Sequence, residues 1–143
     1  MNKRTNGFSL IEVVISITIL ALIIALFSYS ITNQTPKYQL KRAAWEIYSR
    51  LNYARYKAIF RGTKYKVRFE ENSYALEIFD EQKSEWKSEQ QSFLDGVQVT
   101  ANNSPIFHPR GTVSNMATII IRNSRGGYTI SIAISGRIKV REM

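Results

Sequence analysis

Cysteine is absent from the 143 residues, so neither disulfides nor thiolate metal sites can contribute. Histidine occurs once, as His108 between Phe107 and Pro109. A His-based triad or zinc site would lack its other usual members, and a turn residue is the simpler reading. Glycine is sparse, and its one adjacent pair, Gly126-Gly127, has no helix after it, so it reads as a turn and not a phosphate cradle. The acid pairs Glu70-Glu71 and Asp80-Glu81 sit at hairpin ends and lack the Asp/Asn-Gly ladder of a calcium loop, leaving open only a site built from loop carbonyls. Trp45 and Trp86 read as core or sheet-packing residues. No catalytic constellation, metal site or cofactor site emerges, and the expectation is a protein that is not an enzyme.

What the chain does have is an apolar run. From Phe8 to Ile31 there are 24 residues, and Glu12 is the only charged one. At about 1.5 Å per residue a helix of that length reaches roughly 36 Å, enough to cross a bilayer core. Lys3 and Arg4 precede it with no acid nearby, which places the N-terminus in the cytoplasm and the bulk of the chain outside. A secretory signal would end in small residues after a shorter run. Glu12 is costly there, about 2.5 to 3.5 kcal/mol on insertion scales, and needs a partner or a function. A cut between Gly7 and Phe8 would create an amine four residues before Glu12, on the same helix face.

Gly7-Phe8-Ser9-Leu10-Ile11-Glu12-Val13 closely resembles the type III signal of type IV pilins and type II secretion pseudopilins. The resemblance implies a prepilin peptidase that cuts after Gly7 and methylates Phe8, and a docking role for Glu12 in assembly with other pilin or pseudopilin subunits. It also implies a single-pass protein of the inner or cytoplasmic membrane with its C-terminal domain extracytoplasmic.

Beyond the run, Thr32 to Pro36 is polar, and the proline predicts a kink or short break in the helix. Leu40, Ala44, Ile47, Leu51, Ala54 and Ala58 then recur at helical spacing, the stripe of an amphipathic helix ended by Gly62. Period-two alternation and turn residues predict six to eight short antiparallel strands, among them Tyr65–Phe69, Tyr74–Phe79, Trp86–Phe93, Thr118–Arg122 and a strand facing Tyr128, Ile130, Ile132 and Ile134 inward. The fold class is therefore α+β, a long N-terminal helix, transmembrane in its first half, packed on antiparallel β-sheets. The expected divisions are a cytoplasmic leader peptide at 1–7, a transmembrane and assembly half-helix at 8–31, an amphipathic half at 32–62 and a β-rich extracytoplasmic domain at 63–143.

Charge is segregated. The formal net charge is +9, yet from Lys37 to Lys64 eight cations face one acid, from Glu70 to Asp95 eight acids face two cations, and from Gly96 onward six cations face Glu142. One reading is internal, a basic helix neutralised by an acidic hairpin; the other is an acidic partner such as nucleic acid, phospholipid or protein. Arg137, Lys139 and Arg141 alternate with Ile138 and Val140 on the last strand, which spaces cations about 6.6 Å apart on one face. Such a row fits successive phosphates, and Arg110, Arg122 and Arg125 are candidates to adjoin it. Cations on an edge strand also serve simply to prevent sheet pairing or to make a subunit contact.

The C-terminal half, with Phe107-x-Pro109-x-Gly111 and Gly136-Arg137-Ile138, and the helical segment Ala54 to Ile59 are similar to the GspH/FimT pseudopilin family. The similarity implies a pilin-like pair of sheets packed on the amphipathic half-helix, and a non-enzymatic minor pilin or pseudopilin of a type IV pilus or type II secretion assembly. The alternative it carries is a DNA-binding minor pilin of a competence pilus. Family members that bind DNA do so through Gly-Arg-x-Arg; here Lys139 replaces the second arginine, keeping its charge but losing its bidentate fork. Replacing Gly7 with a bulky residue is expected to block processing. N-terminal sequencing from cells carrying a prepilin peptidase should read Phe8 for the wild type and Met1 for the variant; a wild-type chain still beginning at Met1 would overturn the assignment.

Overall fold

The computed structural model describes residues 9–143, and of residues 26–35 the backbone only. Helix α1 runs Leu10–Arg61 and nine strands follow: β1 Tyr65–Phe69, β2 Ser73–Asp80, β3 Glu85–Phe93, β4 Gln98–Ala101, β5 Ile106–Phe107, β6 Val113–Ser114, β7 Thr118–Asn123, β8 Gly126–Ile132 and β9 Ile138–Glu142. The chain divides into two compact units, Met1–Thr35 and Pro36–Met143.

In the first unit every described side chain of residues 9–25 is exposed. Among the described residues no helix is long and apolar enough to cross a membrane. The span expected from the sequence covers 8–31, of which Phe8 and the side chains of 26–31 lie outside the described residues. Of the kink or short break expected at Pro36, the break does not occur, because α1 is continuous with Pro36 inside it. The Pro36 carbonyl takes a bond from the Asn123 amide at 2.7 Å.

The second unit is built on α1 from Pro36 onward. Leu40, Ala44, Ile47, Leu51, Ala54 and Ala58, the expected stripe, are all buried, as is Ala43. The alanines let the sheets approach closely, while Ile47 and Leu51 fill the centre, each stabilising by about 1.5–3 kcal/mol when fully buried. Gly62 (φ +66°) ends the helix in the left-handed conformation that glycine adopts without steric cost.

Two antiparallel sheets supply the rest of the core, one ordered β3-β2-β1-β5-β6 and the other β4-β7-β8-β9. The first contributes Tyr65, Val67, Leu76 and Phe107, and the second Val99, Ile119, Ile121, Ile130 and Ile132. The count exceeds the expected six to eight strands because of β6, whose two residues are too few to show alternation. Two further expectations are corrected. Ile134 is 65% exposed, because β8 stops at Ile132 and the chain turns, Gly136 N–H donating to the Ala133 carbonyl at 2.8 Å. Trp45 is exposed, with its ring edge-to-face with Tyr48 at 5.5 Å between centroids. Trp86 does pack on its sheet, against Phe79 at 5.1 Å with the Lys66 amine 4.4 Å above it.

Among the described residues, the ion pairs between the basic helix and the acidic hairpin converge on one acid, Glu89. The β2–β3 register skips Glu89, and this bulge residue reaches Lys57 (3.7 Å) and Arg61 (3.5 Å) on α1. A hydrogen bond with Tyr53, together with the Glu89 carboxylate and against some desolvation, raises the Lys57 amine above the usual lysine value. Tyr74 donates to Glu46 at 2.9 Å, and Arg50 to Gln90 at 2.7 Å. Other hairpin acids serve their own sheet: buried Glu77 lies 2.6 Å from Lys66 and 3.0 Å from Arg68, and Asp80 caps the turn through the Gln82 N–H at 3.0 Å. Leu51→Ala is expected to cost about 3 kcal/mol by leaving a cavity where helix and sheets meet. Trp45→Ala, at an exposed site, should cost under about 0.5 kcal/mol; urea unfolding measures both.

Candidate functional site

Of the residues picked out from sequence, Gly7 and Phe8 lie outside the described residues. Glu12 is described, in the first turn of α1 and exposed. The Ser9 carbonyl accepts from the Glu12 N–H at 3.0 Å and the Val13 N–H at 3.2 Å, and the Ser9-x-x-Glu12 spacing is that of a capping box. A carboxylate there is favoured by the positive end of the helix dipole. Around it Leu10, Ile11, Val13, Val14 and Ile15 are exposed on all sides of the helix.

Arg137, Lys139 and Arg141 are brought together as expected. All three are exposed, while Ile138 and Val140 pack against the core. β9 is the edge of its sheet, with Lys139 opposite Ser131 and Arg141 opposite Thr129. The three cations, Ser131, Ile132 and Ala133 line a concavity of about 300 Å³. None of the three is in an ion pair among the described residues.

Arg122 shares this outward face, on β7 and not on a turn. It stands opposite Gly127, where an added Cβ would come within 3.1 Å of the Arg122 Cγ. Two strands at about 4.8 Å and two residues along place it on the order of 12 Å from Arg141, within reach of one polyanion. Arg122 also lines a wider concavity of about 670 Å³ whose wall includes Glu71 and Asp95, so its own field is mixed. Arg125 sits in the β7–β8 turn, its N–H bound to the Asn123 side chain at 2.9 Å. His108 is a turn residue; its Nε2 lies 2.8 Å from Ser114 Oγ and its carbonyl accepts from Gly111 N–H at 2.8 Å. No cluster able to hold a metal ion occurs among the described residues.

The residue that sequence reasoning missed is Arg55. From α1 its Nε donates to the Gly111 carbonyl at 3.1 Å and its Nη2 to the Ser135 carbonyl at 3.3 Å. One guanidinium thus ties the turn after β5, which carries Arg110, to the turn that launches β9. Gly136 (φ +78°) has no room for a Cβ, which would collide with the Gly111 oxygen and come within 2.6 Å of Arg55 Nε. The glycine of Gly136-Arg137-Ile138-Lys139 is therefore required by packing. The only sequence signal was the resemblance over Ala54–Ile59, because Arg55 and its partners are 56 and 80 residues apart. Gly136→Ala is expected to destabilise the chain by about 1–3 kcal/mol through strain at this conformation, read by urea unfolding, whereas Arg137→Ala should leave the midpoint nearly unchanged.

Comparison with known proteins follows the same outline. Residues 2–28 match the prokaryotic N-terminal methylation motif, and residues 43–136 match the model for type II transport protein GspH. No curated protein matches the chain by sequence. Among solved structures, the minor pseudopilin EpsH of the type 2 secretion system of Vibrio cholerae is similar at a TM-score of 0.63 and 18% identity, covering 73% of this chain and 97% of its own. The type IV minor pilin FimU of Pseudomonas aeruginosa is similar at 0.62 and 18% identity, covering 75% and 91%. At such identities the likeness shows the shared fold.

Proposed function

The chain belongs to the type II transport protein GspH family, and from that premise we propose that it is a non-enzymatic minor pilin or pseudopilin. On this reading a prepilin peptidase cuts after Gly7 and methylates Phe8. Residues 8–31 hold the protein in the inner or cytoplasmic membrane, with the C-terminal domain extracytoplasmic, until it is drawn into a type IV pilus or type II secretion filament. The observation that carries the reading is the exposed, largely apolar surface of residues 9–25, in which Glu12 is the one charged residue. Lipid covers such a surface before assembly and the helices of other subunits cover it afterwards, so little hydrophobic burial is lost in the exchange. A neighbouring terminal amine then supplies the cation that Glu12 needs. In cells, Glu12→Ala should remain in the membrane fraction but fall to background in sheared filaments. A variant that assembles at the wild-type level would sink the docking role.

A second reading, a DNA-binding minor pilin of a competence pilus, is favoured by the row Arg137, Lys139 and Arg141, in no ion pair among the described residues, with Arg122 on the same face. Three phosphate contacts predict that the logarithm of affinity falls with the logarithm of salt at a slope of about −3, flattened when the three become alanine. Titration of the full chain in detergent with duplex DNA tests this, and absence of binding at low salt would exclude it.

A further inference from the structure

A sheet ends in strands whose outer backbone groups are unpaired, and each such edge can take on a further strand unless something blocks it. The two sheets have four edges, β3 and β6 in one and β4 and β9 in the other. Three are blocked. The bulge at Glu89 interrupts β3. The Val99 N–H of β4 is taken by the Glu71 carbonyl at 2.7 Å, and the Val113 N–H of two-residue β6 by the Ile134 carbonyl at 2.9 Å. β9 has none of these devices. Its register with β8 is regular over all five residues, and it contains no proline. The Met143 N–H donates to the Gly127 carbonyl and the Ala133 N–H to the Arg137 carbonyl. This pattern turns the backbone groups of Arg137, Lys139 and Arg141 toward β8, and those of Ile138, Val140 and Glu142 toward the open side. Among the described residues no backbone group of another element bonds to those three. Ile138 and Val140 pack against the core yet are only half-buried, so apolar surface is left uncovered along this edge.

We propose that β9 accepts an added strand from a protein partner, an extended segment with carboxylates at every second residue and apolar residues between. The edge itself dictates the alternation. Partner residues opposite Arg137, Lys139 and Arg141 stand at non-hydrogen-bonded positions, where Cα atoms are about 4.5 Å apart and side chains are closest. Acids there would pair with three cations that are in no ion pair among the described residues. Partner residues opposite Ile138 and Val140 fall on the core side of the sheet and cover what those two leave exposed. Backbone hydrogen bonds give the attachment, and the alternate side chains give the selection. A second copy pairing β9 to β9 would set the same cations against one another, and like charges directly opposite are destabilising. Duplex DNA would use the outward cations alone and leave the backbone edge, Ile138 and Val140 as they are, so a polypeptide fits more of this surface. The site requires neither the filament nor the DNA reading.

The test uses the full chain in detergent and a short capped peptide that alternates glutamate and valine. Bound peptide should slow hydrogen exchange at the Ile138, Val140 and Glu142 amides by about tenfold, while the Lys139 and Arg141 amides, already bonded to β8, change little. Affinity should fall about tenfold in the chain carrying Arg137→Ala, Lys139→Ala and Arg141→Ala. Methylating the valine nitrogens of the peptide, which would face β9, should abolish binding; methylating the glutamate nitrogens, which would face away, should not. These peptide arms need no variant of the chain. Absence of binding, equal binding of the two methylated peptides or of a lysine–valine peptide, or binding that leaves the three amides unprotected overturns the proposal. So does pairing of β9 with β9 in the free chain, or duplex DNA that binds the row where the peptide does not.

Discussion

The folded unit from Pro36 onward depends on how closely two sheets can approach one helix. Ala43, Ala44, Ala54 and Ala58 hold that distance down, and Ile47 and Leu51 fill the space between. With no cysteine to staple the domain, apolar burial and the hydrogen bonds that close the edges must do this alone. Arg55 adds the polar counterpart, fixing two turns from different sheets to the same helix. Most other features follow from this packing, including the glycine at 136 and the outward orientation of the β9 cations.

Periodicity made the helix stripe and the longer strands legible. Leu40 to Ala58 is one face of a helix by spacing alone, and β1 has the bounds its alternation indicates. What escaped was set by contacts distant in sequence. Ile134 continues the alternation of β8 in sequence, yet Gly136 turns the chain first. Trp45 is large and apolar, and only its place on the wheel opposite the alanines puts it outside. Glu77, buried between Lys66 and Arg68, needed the β1–β2 register to be seen as a structural acid. At the candidate site, the exposure of Arg137, Lys139 and Arg141 was readable from alternation, whereas the Arg55 tie that sets their strand in place was not.

The charge blocks found in the sequence are neutralised only in part. Four of the eight acids between Glu70 and Asp95, namely Glu70, Glu77, Asp80 and Glu89, are paired within the domain, by Lys66, Arg68 and Lys87 on the sheet and by Lys57 and Arg61 on the helix. Among the described residues Lys41 and Arg42, near the start of the amphipathic half, and Arg137, Lys139 and Arg141 on β9 are in no ion pair.

Pro36 has a practical consequence beyond its place in a continuous helix. It cannot donate a backbone hydrogen bond, and it favours the dihedral angle of a first helical residue. A chain shortened to begin there would open its helix on the residue best suited to that position, with the Asn123 amide already holding the Pro36 carbonyl. The helix can be divided at this point at smaller cost than one turn to either side, so a trimmed form is best begun with Pro36 as its first helical residue.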